Sequence, residues 1–171
     1  MATEKAVRFI KSLLENAIAA EQSFEVQLRG FADEGSSDQV HRLFLEHADE
    51  TRTQYQRLTR RLTELGGEPA PSKSFLAHLA GLSPKLAQLG QDTVDRVTQN
   101  LVMAYAVENC EIAMYESLVA VAEAAGDEDT AELARAIWDE ERRTAEKVWQ
   151  LISPWASTAF KKLAGAEQLT A

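Results

Sequence analysis

Five glutamates draw attention because each interrupts an otherwise apolar helical stripe. Steps of three and four residues keep side chains on one helix face. Read this way, the first helical segment presents Val7, Ile10, Leu14, Ala17, Glu21, Phe24 and Leu28. The second presents Val40, Leu43, His47, Glu50, Gln54 and Leu58, and the third Val97, Leu101, Ala104, Glu108, Glu111, Tyr115 and Leu118. The fourth presents Ala134, Ile137, Glu141, Thr144, Val148 and Leu151. An ionised carboxylate taken unpaired into an apolar interior is strongly unfavourable, and no Lys or Arg shares these stripes. Protonation, local water or bound cations remain as ways to hold such a set. One acid on a core stripe is ordinarily a boundary residue; agreement across four segments argues for a site.

Two divalent ions would set four positive charges against Glu21, Glu50, Glu108, Glu111 and Glu141. His47, one turn before Glu50, adds an imidazole, as a ligand or as a hydrogen-bonding neighbour of one. Several oxygens with one nitrogen suit iron or manganese. Glu50 and Glu141 are the expected bridging carboxylates, with Glu21, Glu108 and Glu111 as terminal ligands. Tyr105 and Tyr115 lie a turn either side of the Glu108/Glu111 pair and could carry electrons or hydrogen-bond a ligand, although core aromatics at this spacing are commoner. Cys110 falls off the stripe. Trp138, Trp149 and Trp155 read as packing or contact residues, and His41 and His78 as surface residues without partners.

The elements that must position these side chains are four long helices in one domain, residues 1–171, with a core of about 4–153 and a tail of 154–171. The first helix is expected from Glu4 to Gly30. The second starts near Asp38, read as its N-cap, and ends at Gly66-Gly67. The third spans about Asp92 to Ala125. The fourth begins at Asp129, with Asp129 and Glu132 as a capping box, and runs to Ser153, where Pro154 ends or kinks it. The tail is expected to form a short fifth helix. Residues 69–91, broken by Pro71, Gly81, Pro84 and Gly90, are long enough to cross a bundle, with Phe75, Leu76, Leu79, Leu82, Leu86 and Leu89 packing along its side. Two hairpins joined by one long crossover make a ferritin-like four-helix bundle. The hairpins also look duplicated: Asp38 precedes Glu50 by the same twelve residues that separate Asp129 from Glu141.

Composition agrees with an all-helical chain. It holds 45% apolar residues but only 8 Gly and 4 Pro, and it is poor in the β-branched and aromatic runs of strands. No leader or long apolar run suggests export or a membrane partner. The single cysteine excludes an internal disulfide and fits a cytoplasmic protein. A net charge of −9 argues against nucleic acid as a partner.

Four runs also resemble the bacterial YciE/YciF stress-protein family: residues 44–51, 107–115 and 138–144 for the second, third and fourth helices, and 65–71 for the exit from the second. The likeness covers roughly residues 10 to 152. It implies a ferritin-like bundle with a rubrerythrin-type dimetal site, usually dimeric, in proteins linked to stress. Glu108-x-x-Glu111 matches the family's third helix and Glu21 its first-helix ligand. The sequence departs from the ferritin-like Glu-x-x-His pattern, because Thr53 and Thr144 hold the histidine positions. A nitrogen-poor site of this kind favours manganese or weaker binding. The expected function is a di-iron or di-manganese carboxylate protein of the stress response, a homodimer that reacts with peroxide or dioxygen and draws electrons from an external donor. Iron storage and a metal-free helical scaffold are the alternatives.

Overall fold

The computed structural model describes residues 3–34, 37–69 and 96–168, and every regular element among them is helical. Four helices follow in order: α1 (Glu4–Glu34), α2 (Asp38–Glu64), α3 (Arg96–Ala125) and α4 (Glu128–Gln168). The chain is a ferritin-like four-helix bundle, as the stripes predicted.

The C-terminal ends of α2 and α3 are built alike. Gly66 and Gly126 adopt φ of +73° and +69°, left-handed values that glycine takes without strain. The amides that follow fold back on the last helical turns: Gly67 N–H donates to Leu62 O (2.9 Å), and Asp127 N–H to Ala122 O (2.9 Å). The N-caps differ from expectation. Ser37, not Asp38, caps α2, its Oγ accepting from Gln39 N–H. Asp127, not Asp129, caps α4, its Oδ1 accepting from Thr130 N–H (3.1 Å) while Oδ2 accepts from Thr130 Oγ1 (2.7 Å). Both caps lie just outside the first helical residue, where the chain is extended and a short side chain can turn back onto free amides.

Two helices outlast their sequence signals. α1 continues past Gly30 because Phe31 packs on the core and Ala32 is buried in it, and Asn100 Nδ2 donates to Glu34 Oε2 (3.1 Å) in the last turn. α4 passes through Pro154 without a separate fifth helix. Leu151, Ile152 and Trp155 pack on the core around the proline and Ala159 is buried beyond it, so tertiary contact outweighs the one hydrogen bond the ring removes.

Two apolar clusters fix the helix directions. One joins Ile10, Leu14, Ala17 and Ile18 to Leu58, Leu62, Tyr115, Leu118, Ala134 and Ile137. The other joins Leu28 and Ala32 to Val40, Phe44, Ala48, Val97, Leu101, Ala104 and Val148. The start of α1 thus lies beside the ends of α2 and α3 and the start of α4. α1/α2 and α3/α4 are antiparallel hairpins, and α2 and α3 run parallel, as a long crossover between them requires. The expected crossover segment itself, with its leucines and His78, lies outside the described residues.

Candidate metal centre

Between the two apolar clusters the bundle carries a polar layer. Its members sit where the stripes expected acids, and almost all are sealed from solvent: Glu21, Glu108, Glu111 and Glu141 are at most 2% exposed. His47, Thr51, Gln54 and Thr144 are buried with them. Among the described residues no lysine or arginine is buried.

The structure draws His47, Glu108 and Glu141 together, with one donor atom from each lying within 4.8 Å of the others. His47 Nε2 is 3.0 Å from Glu108 Oε1, but without the alignment of a hydrogen bond. Among the described residues, both Glu108 oxygens, one oxygen each of Glu21 and Glu111, and His47 Nδ1 have no hydrogen-bond partner. Each orphaned buried polar atom ordinarily costs about 1–3 kcal/mol. A cation would satisfy several lone pairs at once. The donor set of carboxylates with one imidazole therefore fits a divalent metal ion of the iron or manganese type.

The remaining acids are individually placed. Tyr115, fully buried, donates its hydroxyl to Glu21 Oε1 and so orients that carboxylate. Gln54 Nε2 donates to Glu141 Oε1 at 2.6 Å and to Glu140 Oε2 at 3.2 Å. Glu140 is in turn held by Arg57 Nη1 at 2.8 Å. Glu50, an expected bridging ligand, stands at the margin of the layer: it is half-buried, and its Oε2 accepts from Thr144 Oγ1 at 3.3 Å. Thr53 is exposed and donates to the Asp49 carbonyl, so it takes no part. Glu25, one turn beyond Glu21, is also buried but pairs with Arg29 and Arg52. That acid has its cations; among the described residues the inner ones have none.

Charge follows from this burial. Desolvation lifts Glu108 to about 8, against the lowering contact with Glu141 and with the help of Glu50. Burial first, and then neighbouring carboxylates, hold Glu21, Glu111 and Glu141 well above the usual range. Burial drives His47 down to about 4, which leaves its imidazole neutral and its lone pair free at neutral pH. The neutral imidazole is in the state that binds a metal, whereas the crowded carboxyls would release protons on binding one.

Several expectations need adjustment. On α2 the innermost residues are Phe44, His47, Thr51, Gln54 and Leu58, so Leu43 and Glu50 lie to one side of the stripe. Gln54 was visible on the sequence stripe but had no role; a buried amide one turn from an acid is the signal that points to it. Tyr105 stands on the flank of α3, its ring 5.0 Å from that of the exposed Trp149. Arg142 lies over the Trp138 ring, and Cys110 is exposed. His41 does have a partner: its Nδ1 is 2.9 Å from the Ala32 carbonyl oxygen, which ties α2 to the end of α1.

Comparison with known proteins agrees with this fold. The model of DUF892, a domain of unknown function, matches residues 7–160. No curated protein gives a significant match. Among solved structures, a protein of Xanthomonas campestris superposes with a TM-score of 0.78 at 22% identity, covering 94% of this chain and 99% of its own. The Escherichia coli stress protein YciF gives 0.76 at 22% identity, with 91% and 99% covered. A Desulfovibrio desulfuricans bacterioferritin, described with its diiron site, gives 0.70 at 21% identity, with 95% and 88% covered. At such identities these likenesses concern the fold. Among the described residues, no helix is long and apolar enough to cross a membrane.

Proposed function

The chain belongs to the DUF892 family, and we propose that it is a ferritin-like metal protein whose buried carboxylates hold a pair of iron or manganese ions. One observation carries the reading: among the described residues, four buried carboxyls and a neutral imidazole converge in a layer that holds no buried cation, and five of their donor atoms lack partners. His47, Glu108 and Glu141 are the first holding group, and Glu21 from α1 and Glu111 from α3 provide further oxygens. Bound there, such ions would supply one-electron chemistry toward peroxide or dioxygen, in keeping with a role in stress.

The protein's own part is positional. Tyr115 fixes Glu21, Gln54 fixes Glu141, and the apolar clusters above and below exclude water, which keeps the carboxylates in one arrangement. Reducing equivalents for such chemistry would come from an external donor. The same reading takes the working form to be a homodimer, which size-exclusion chromatography measures.

The test is metal content per chain, by elemental analysis after anaerobic loading with iron or manganese. About two ions per chain are expected for the unaltered protein, and a sharp loss is expected for the double variant His47→Ala/Glu141→Gln. A folded protein that stays empty after loading would overturn the proposal.

A further inference from the structure

The two hairpins meet more loosely than the helices within each hairpin, and the α2/α4 seam runs directly past the buried layer. Along it lie two surface grooves. One, of about 200 Å³, is lined by Arg57, Arg61 and Leu133 among others. It is separated from the centre by a polar bridge: Arg57 Nη1 binds both Glu140 oxygens (2.8 and 3.1 Å), and Gln54 joins Glu140 to Glu141. The other, of about 310 Å³, is lined by Leu43, Glu46, Lys147 and Leu151 among others. On that side no hydrogen bond or ion pair among the described residues joins α2 to α4 beyond the contact of Thr144 with Glu50. Glu46 stands one helical turn before Glu50 and Lys147 three residues after Thr144, so this groove lies next along the seam to the Glu50–Thr144 contact.

Resting on the metal-centre reading, we propose that divalent cations reach the buried layer through this seam, with Glu50 as the carboxylate that transfers them inward rather than a resident bridging ligand. Glu50 is half-buried where Glu21, Glu108, Glu111 and Glu141 are sealed. Its Oε2 nonetheless accepts from the hydroxyl of Thr144, a residue buried in the layer, so the carboxyl lies between solvent and the inner group. A hydrated divalent ion sheds its water reluctantly. A half-exposed carboxylate allows that loss in stages, first exchanging some waters for Glu50 oxygens and then the rest for the inner donors. Its register supports the distinction. Glu50 lies thirteen residues after the Ser37 cap, as Glu140 does after the Asp127 cap. Glu140 is likewise half-buried at the seam, whereas Glu141 is buried. The two cations that line the open groove, Arg42 and Lys147, oppose an approaching metal ion and are offset only in part by Glu46.

The test uses the full-length chain and Co²⁺, whose visible absorption changes when carboxylate and imidazole replace water. Stopped-flow mixing gives the uptake rate and a titration gives the final stoichiometry. Glu50→Gln is expected to slow uptake about tenfold and leave the stoichiometry unchanged, because the transfer site is lost but the holding group is intact. Lys147→Glu, which touches none of the holding group, is expected to speed uptake about threefold at low salt and to lose that advantage as ionic strength rises. A Glu50→Gln protein that binds fewer ions would make Glu50 a resident ligand and overturn the proposal. Unchanged rates in both variants would place the route elsewhere and overturn it too. If the unaltered chain takes up no Co²⁺ at all, the metal centre itself fails, a result distinct from either of these.

Discussion

Raising the pH of the metal-free protein should weaken it, and Glu108 sets the size of the effect. A buried carboxyl whose pKa is raised keeps its proton in the native state after the unfolded chain has lost it, so over that range each rise in pH favours unfolding. Its contribution to stability is complete below the unfolded value, near 4.5, and is lost as pH climbs through the folded value, near 8. His47 works in the opposite sense. Its folded value is near 4 and its unfolded value 6.5, so its contribution is complete above pH 6.5 and is lost as pH falls toward 4. Between pH 6.5 and 8, His47 is therefore silent and Glu108 acts with its neighbours. At about 1.4 kcal/mol per pH unit, Glu108 alone removes roughly 2 kcal/mol of stability across this window. Glu21, Glu111 and Glu141 are shifted the same way and can only steepen the loss. Guanidinium unfolding at several pH values, with chelator present, measures it; Glu108→Gln should show a shallower slope. Saturating Mn²⁺ should flatten the slope or invert it, because a cation binds the ionised carboxylates and expels their protons. Metal-free stability that stays flat or rises from pH 6.5 to 8 would refute the burial argument.

Two further substitutions probe the framework around the layer. Asp127→Ala removes the α4 cap and the carboxylate 2.6 Å from Arg61 Nη2, and should cost about 2–3 kcal/mol in denaturant unfolding, with Asp127→Asn recovering the cap's share. Gln54→Leu strips Glu141 of its 2.6 Å donor and should cost about 1–3 kcal/mol without altering helix content by circular dichroism.

What was legible in the sequence follows from how strongly each feature is enforced by period. α1, α3 and α4 carry long stripes on which the acids interrupt well-spaced apolar residues, and Glu21, Glu108, Glu111 and Glu141 were found buried where the spacing put them. α2 carries Leu43, Phe44 and Leu45 in succession, so its apolar face can be drawn one residue either way. Only Phe44 of the three is fully buried, and the choice moves Glu50 from the core to the seam. Local punctuation was similarly partial. The glycines at 66 and 126 marked real turns because a left-handed φ leaves few alternatives. Gly30 and Pro154 failed as stops because Ala32, Trp155 and Ala159 extend core contacts past them. Caps were displaced by a residue or two, since Ser37 and Asp38, like Asp127 and Asp129, are each chemically able to cap, and only the backbone geometry selects one.

The corrected caps also change what the duplication means. Counted from Asp38 and Asp129, Glu50 and Glu141 seem to be counterparts. Counted from the true caps, Ser37 and Asp127, the buried positions of the two helices fall into one register: Phe44 matches Ala134, His47 matches Ile137, Thr51 matches Glu141, and Gln54 matches Thr144. The two helices thus share a backbone register but not a chemistry. α4 brings the acid, α2 brings the imidazole, and the amide of Gln54 crosses from α2 to hold the acid in place. In a symmetric bundle each of these helices would present the same ligand pair to its own ion. Here Thr51 stands where a second glutamate would complete that pair, so α2 offers one strong inner donor and α4 one. The inner charge is then weighted toward α1 and α3, through Glu21, Glu108 and Glu111, which makes the two halves of the layer inequivalent. Any two ions bound there would therefore meet unequal donor sets, one richer in carboxylate and one that includes the imidazole.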